Sequence, residues 1–310
     1  MWNRHGQWPL HSAAEGGHLE TIKTLVAADP EGLFEDCRDE NCAFRPIDFA
    51  ARAGHRDAVE LLYSLHQQHA ELRSSMFSSV PSANVLYFLA LVEGGWVEAV
   101  RDCIEGGRVT AKEWKEGSAM YLAASCGQVN VIDLLLEKGM DINRGNEFGD
   151  PPLQAAINAE NMEVLKALLE KGADPKRMGN EAICPVHEAI YRENTEAIEI
   201  LGAYGCPMNR QDEDGRVSLT IAMSGDASME VVKALIACGA DWNAVNDGGC
   251  TSIEYATTLK RKDYLELFLD EGGDVDTKTS GMYSVIPRLV TGGVNVNARN
   301  QAGETPLHVG

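Results

Sequence analysis

The sequence predicts an all-α solenoid in which short helix pairs, each introduced by a turn, stack side by side at about 33 residues per unit. Three observations carry that reading. One phrase recurs along the chain, as Trp8-Pro9-Leu10-His11-Ser12-Ala13-Ala14, Arg45-Pro46-Ile47-Asp48-Phe49-Ala50-Ala51, Cys184-Pro185-Val186-His187-Glu188-Ala189 and Thr305-Pro306-Leu307-His308. Its copies starting at 118, 151, 184 and 217 are 33 residues apart, and the next starts 34 later. After the phrase, an apolar stripe at helical spacing ends in glycine, as in Met162 to Leu169 followed by Lys171-Gly172. A phrase present in so many copies cannot be catalytic in each.

The elements follow in order. The first two phrase copies are 37 residues apart, with the extra length around Pro30 to Cys37. Leu65 to Ser82 is polar and reads as a lengthened helix followed by a loop. A third repeat, about Asn84 to Gly107, keeps the helical apolar spacing but loses the phrase. The clearest unit runs from Asn146 to Arg177. Its turn, Asn146 to Asp150, contains Gly149, and Pro151-Pro152 can open a helix because the first helical N–H groups need no partner. Ala155 and Ala156 are small enough to let neighbouring helices approach. The same design returns at Leu134 to Asn143 and Ala234 to Asn243. Between the copies at 251 and 305 the gap is 54, and Pro287 falls where a second helix belongs. The array is therefore assigned to 1–276, irregular at 64–110. Residues 277–310 are expected to be degenerate and truncated repeats, from a natural end or from a fragment of a longer protein.

The net charge is −20, from 47 acids against 27 bases, which opposes nucleic-acid backbones and anionic membranes as partners. The N-terminus has no apolar run of signal-peptide length, and the longest apolar run, Val85 to Val92, is far too short to span a bilayer. Eight scattered cysteines without a CxxC pair read as reduced thiols of a cytoplasmic or nuclear protein.

Catalytic signatures are missing from the pattern: there is no G-x-S-x-G, no P-loop and no G-x-G-x-x-G. His66 and His69 form an H-x-x-H pair, and Cys37, Cys42 and His55 a looser set, but neither has a completing ligand at zinc spacing. Neither metal nor cofactor is expected, and the chain is not expected to be an enzyme.

The phrase, the Gly17-His18-Leu19-Glu20 sequence after its first copy and the sustained period closely resemble the ankyrin repeat family over roughly residues 3 to 310. That resemblance implies about eight repeats plus degenerate C-terminal ones, with turn tips and first helices lining a concave groove. It also gives His11, His18, His55, His187 and His308 structural roles. By the family's pattern the groove-facing residues include Trp114, Lys115, Glu147, Phe148, Glu181, Glu213, Asp214 and Asp247 on turn tips, and Tyr191 and Arg192 at a helix end. Trp114, Phe148 and Tyr191 would be exposed aromatic anchors. The acids would steer a basic segment into place. Trp242 is expected to pack between repeats. The expected function is that of a non-catalytic, monomeric scaffold binding a protein or peptide. Two alternatives are an enzyme or small-molecule binder with a pocket near 65–110, and the regulatory part of a larger protein.

Overall fold

A computed structural model describes residues 8–34, 44–69, 82–116, 118–179, 183–225, 227–259 and 261–271. The expected degenerate segment at 277–310 lies outside them, as do Glu181 and His308. The chain divides into two compact units, Met1–Lys171 and Gly172–Gly310.

In the first unit the helices are α1 (Pro9–Glu15), α2 (Leu19–Ala28), α3 (Pro46–Arg52), α4 (Arg56–Gln68), α5 (Ala83–Glu93), α6 (Val97–Glu105), α7 (Ala111–Glu116), α8 (Ala119–Ser125), α9 (Val129–Glu137), α10 (Pro152–Asn158) and α11 (Met162–Glu170). A 3-10 turn, Pro30–Leu33, follows α2. First helices pack in a row, α1 on α3, α3 on α5, α5 on α8 and α8 on α10, and each lies against the second helix of its own repeat. The second unit holds α12 (Pro185–Tyr191), α13 (Thr195–Ala203), α14 (Ser218–Ser224), α15 (Met229–Ala237), α16 (Ser252–Thr258) and α17 (Lys262–Asp270), with α12 on α14, α14 on α16 and α13 on α15. Among the described residues extended pairing is limited to two isolated bridges, Gln211 with Val217 and Val245 with Thr251.

The sequence explains this row-by-row packing. The alanine pairs Ala13-Ala14, Ala50-Ala51, Ala123-Ala124 and Ala155-Ala156 are buried, so helices with no bulky side chain at those positions can lie close together. The second helices bury aliphatic stripes such as Val164, Leu165, Leu168 and Leu169. Asn161 and Asn194 cap them, their Oδ1 atoms accepting from Val164 N–H at 3.0 Å and Ala197 N–H at 2.9 Å. Such a cap typically contributes about 1 kcal/mol. The turn between the two helices needs a left-handed residue. Gly17, Gly54, Gly95 and Gly127 supply it in the first unit's early repeats, whereas Glu160 (φ 53°) and Glu193 (φ 51°) adopt it without that freedom.

The histidines at phrase positions do structural work. Trp8 N–H donates to His11 Nδ1 at 3.3 Å, which leaves the proton on Nε2 to donate to the Phe44 carbonyl, 3.1 Å away. His187 Nε2 lies 3.1 Å from the Arg210 carbonyl. Trp242 is buried and meets the edge of Phe268 at 5.5 Å between centroids, so it packs between repeats as expected.

In the irregular region α4 is the longest helix described, at 13 residues. Tyr63 and Tyr87 stack at 4.3 Å, and Tyr87 O–H donates to Glu60 at 2.6 Å.

Candidate functional site

Turn tips in the two units are built on one device. In the first, Asn146 Oδ1 accepts the N–H groups of Phe148 (3.0 Å) and Asp150 (2.9 Å), closing a tight turn that lifts Glu147 and Phe148 outward. Glu147 is exposed, and Phe148 is 66% exposed. In the second unit Asp212 Oδ1 accepts from Asp214 N–H (3.1 Å) and Arg216 N–H (2.8 Å), which presents Glu213 and Asp214 to solvent.

The second unit brings several expected residues together. Tyr191 ends α12 at 50% exposure, and Arg216 Nη2 donates to its hydroxyl at 3.4 Å from the neighbouring tip. The same guanidinium lies 2.7 Å from Asp212 and 3.2 Å from Asp214. Burial raises the Asp212 carboxyl, but its hydrogen bonds and charge contact with Arg216 outweigh that and hold it below the ordinary value. Arg192 donates to Glu188 at 3.1 Å. Asp247, exposed on the next tip, is joined to the first by its backbone N–H on the Gly215 carbonyl. The family pattern pointed to Tyr191, Asp214 and Asp247; it missed Asp212, Arg216 and Glu188. The Asp212-x-x-x-Arg216 spacing across a turn was a readable sign of the bracing ion pair.

One expected residue is corrected. Trp114 is not an exposed tip residue: it is only 5% exposed and lies on α7. The cause is local. Thr110 and Glu113 form a reciprocal cap, with Thr110 N–H donating to Glu113 Oε2 at 2.7 Å and Glu113 N–H to Thr110 Oγ1 at 3.2 Å. The stretch therefore coils into a helix and turns the indole inward. Lys115 is on the same helix, its side chain outside the described residues.

A second charged cluster sits in the first unit at the C-terminal ends of α3 and α5. Glu93 is 3% exposed at its side chain, and its Oε1 lies 3.5 Å from Arg52 Nη2. Its Oε2 is buried without a hydrogen-bond partner. Burial, then the nearby Asp48 carboxylate, push the Glu93 carboxyl up to about 8 against the opposing pull of Arg52. Neither phrase nor period signals this pair, because its members are 41 residues apart.

The remaining chemistry is subdued. Burial raises the thiols of Cys103, Cys126, Cys184 and Cys206, the last to about 12, so they stay protonated and poorly nucleophilic. His66 has both ring nitrogens against carbonyls, Leu62 at 2.7 Å and Leu33 at 3.0 Å, and is not presented as a metal ligand. Among the described residues no three His, Cys, Asp or Glu side chains gather as a metal site, and no helix is long and apolar enough to cross a membrane. Two surface hollows, of about 300 Å³ beside Gly17 and His55 and about 180 Å³ beside Trp8 and Leu25, are lined by residues outside 65–110.

The family models agree with the fold. Residues 87–179 and 186–279 match the family model described as ankyrin repeats (3 copies), and residues 10–62 match that for ankyrin repeats (many copies). The transient receptor potential cation channel subfamily A member 1 of Drosophila melanogaster is 25% identical over 136 residues, which are 43% of this chain and 11% of the channel. The crystal structure of the human ASB11 ankyrin repeat domain aligns with a TM-score of 0.46 and 22% identity, covering 75% of this chain and 98% of that one. With matched segments spread over most of its length, the chain belongs to the ankyrin repeat family.

Proposed function

We propose that this protein is a non-catalytic interaction module that holds a basic protein or peptide segment against the groove formed by turn tips and first-helix ends. Ankyrin repeats generally mediate protein–protein interaction. The single observation that carries the finer reading is the exposed aromatic ring of Tyr191 beside the acid-bearing tips at Glu213, Asp214 and Asp247. A half-exposed aromatic held in place by Arg216 offers contact area at little ordering cost, and the surrounding carboxylates favour cationic side chains. Phe148 and Glu147 repeat the combination of ring and acid on a tip of the first unit. The module acts as a monomer and needs no cofactor.

The test uses the full chain and fluorescent peptides of basic, neutral and acidic composition, with binding read by anisotropy at low and high salt. Basic peptides should bind most tightly and weaken as salt screens the attraction. Tyr191→Ala should abolish most binding by the second unit while the chain stays folded. Unchanged affinity in that variant, or a preference for acidic peptides, would remove the groove assignment.

A further inference from the structure

We propose that the Arg52–Glu93 contact is a proton-operated latch that holds α5 to α3 and to the turn after α8, closed while Glu93 carries a proton and loosened when it ionises. The inference is independent of any partner.

The geometry gives Glu93 a single cationic contact. Arg52 is the one cation on the described residues that meets Glu93, at a distance near the long limit for a hydrogen bond. Its guanidinium is also spread over the Phe44 ring, 3.7 Å from the centroid. The same side of α3 carries the buried Asp48, whose Oδ2 accepts the Arg45 N–H at 2.8 Å. Its carboxylate adds a like charge to the surroundings of Glu93. An ionised Glu93 would leave Oε2 charged, dry and without a donor, a strongly unfavourable arrangement. A proton removes that charge.

Among the described residues the other elements packed on α5 bring no second cation to Glu93, and Arg108 lies instead over the Tyr87 ring, 5.3 Å from its centroid. The turn after α8 presents Cys126, whose thiol is pushed up to about 11, mainly by burial and next by Glu93 itself, and so stays neutral. It also presents Gln128, whose Nε2 donates to the Glu93 carbonyl at 2.9 Å. From α4, Glu60 is bonded to Tyr87, well back along α5 from this end. Ahead of α6, the neutral Trp96 ring packs on Gly94. Gly95, at φ +72°, leaves the space that the Gln128 side chain occupies, so the Glu93 end of α5 is seated directly on the next repeat. Ionisation of Glu93 places an uncompensated anion at that seat, and the Gln128 bond and the Arg52 contact are the links it strains.

The proton is held in the folded protein and not in the unfolded chain between the ordinary carboxylate range and about pH 8. Stability from this group is therefore full at acidic pH and is lost as pH rises through that window. The experiment measures thermal midpoints and backbone hydrogen exchange of residues 90–96 in the full chain from about pH 6 to about pH 9, with exchange corrected for its intrinsic pH dependence. Wild type should lose protection there progressively, approaching about tenfold per pH unit at the steepest point. Glu93→Gln should keep it nearly constant, and Asp48→Asn, which removes the like charge but can still cap, should move the transition to lower pH. Parallel curves for wild type and Glu93→Gln, or an unmoved transition in Asp48→Asn, would overturn the latch. Should Glu93→Gln fail to fold, carbon NMR titration of the wild-type glutamate carboxyls decides: a Glu93 resonance titrating in the ordinary carboxylate range refutes the proposal, and one near neutrality or above supports it.

Discussion

Asp247 donates its backbone N–H to the Gly215 carbonyl at 3.0 Å, and its side chain occupies the space a Cβ on Gly215 would need. Gly215 also has φ +71°. Two successive turn tips are pinned together through backbone, which leaves the tip carboxylates free to face solvent. Gly215→Ala combines an unfavourable backbone angle with a steric overlap and should cost about 2–3 kcal/mol of stability. Gly149→Ala, at φ +93° but facing open space, should cost only about 1–2 kcal/mol. Urea denaturation of both variants compares them; equal losses would show that the Asp247 contact is immaterial.

Trp114 and Phe148 should behave oppositely when truncated. Removing the buried indole leaves a cavity, and Trp114→Ala should destabilise by about 3–5 kcal/mol. Phe148→Ala removes a ring already in water and should stay within about 0.5 kcal/mol of wild type while weakening peptide binding. Calorimetry paired with the anisotropy assay reads both quantities on the same samples.

Glu160 and Glu193 are exposed residues held at positive φ where earlier repeats use glycine. Their side chains add strain without a compensating burial. Glu160→Gly and Glu193→Gly should each stabilise by about 0.5–1 kcal/mol, the relief of strain exceeding the added freedom of the unfolded chain. A fall in denaturation midpoint for either would mean that its carboxylate makes a contact worth more than the strain.

His187 gives the second unit a pH dependence of the opposite sign to that of Glu93. Its ring is fully buried with Nδ1 unpartnered, and burial lowers its pKa despite the Arg210 carbonyl. The unfolded chain therefore takes up the proton more readily than the folded one. Stability contributed by the neutral ring is complete above about pH 6.5 and falls as the solution is acidified, by at most about 1.4 kcal/mol per pH unit. Hydrogen exchange in α12 and α14 should show the loss, and His187→Gln should flatten it even if it lowers stability overall.

The helix pairs, their glycine stops and their order were legible because each depends on residues within one period. Pro152 at a helix start, Gly172 after a helix end and Ala155-Ala156 at a packing face act through neighbours a few positions away. Trp114 was misplaced because the turn-tip pattern of Glu147 and Phe148 was applied one period earlier, where the Thr110-x-x-Glu113 cap starts a helix instead. The groove pattern selected Tyr191, Asp214 and Asp247, but not the guanidinium of Arg216 that links the first two.

By itself the sequence determined the repeat: a 33-residue period, small residues where helices touch and polar residues where turns meet water are local properties that any copy displays. Only the tertiary structure decided which side chains lost their water. Trp114 and Glu93 are both buried by contacts that periodicity does not encode, and it is desolvation, fixed by the packed neighbours, that makes one a core residue and the other a proton carrier.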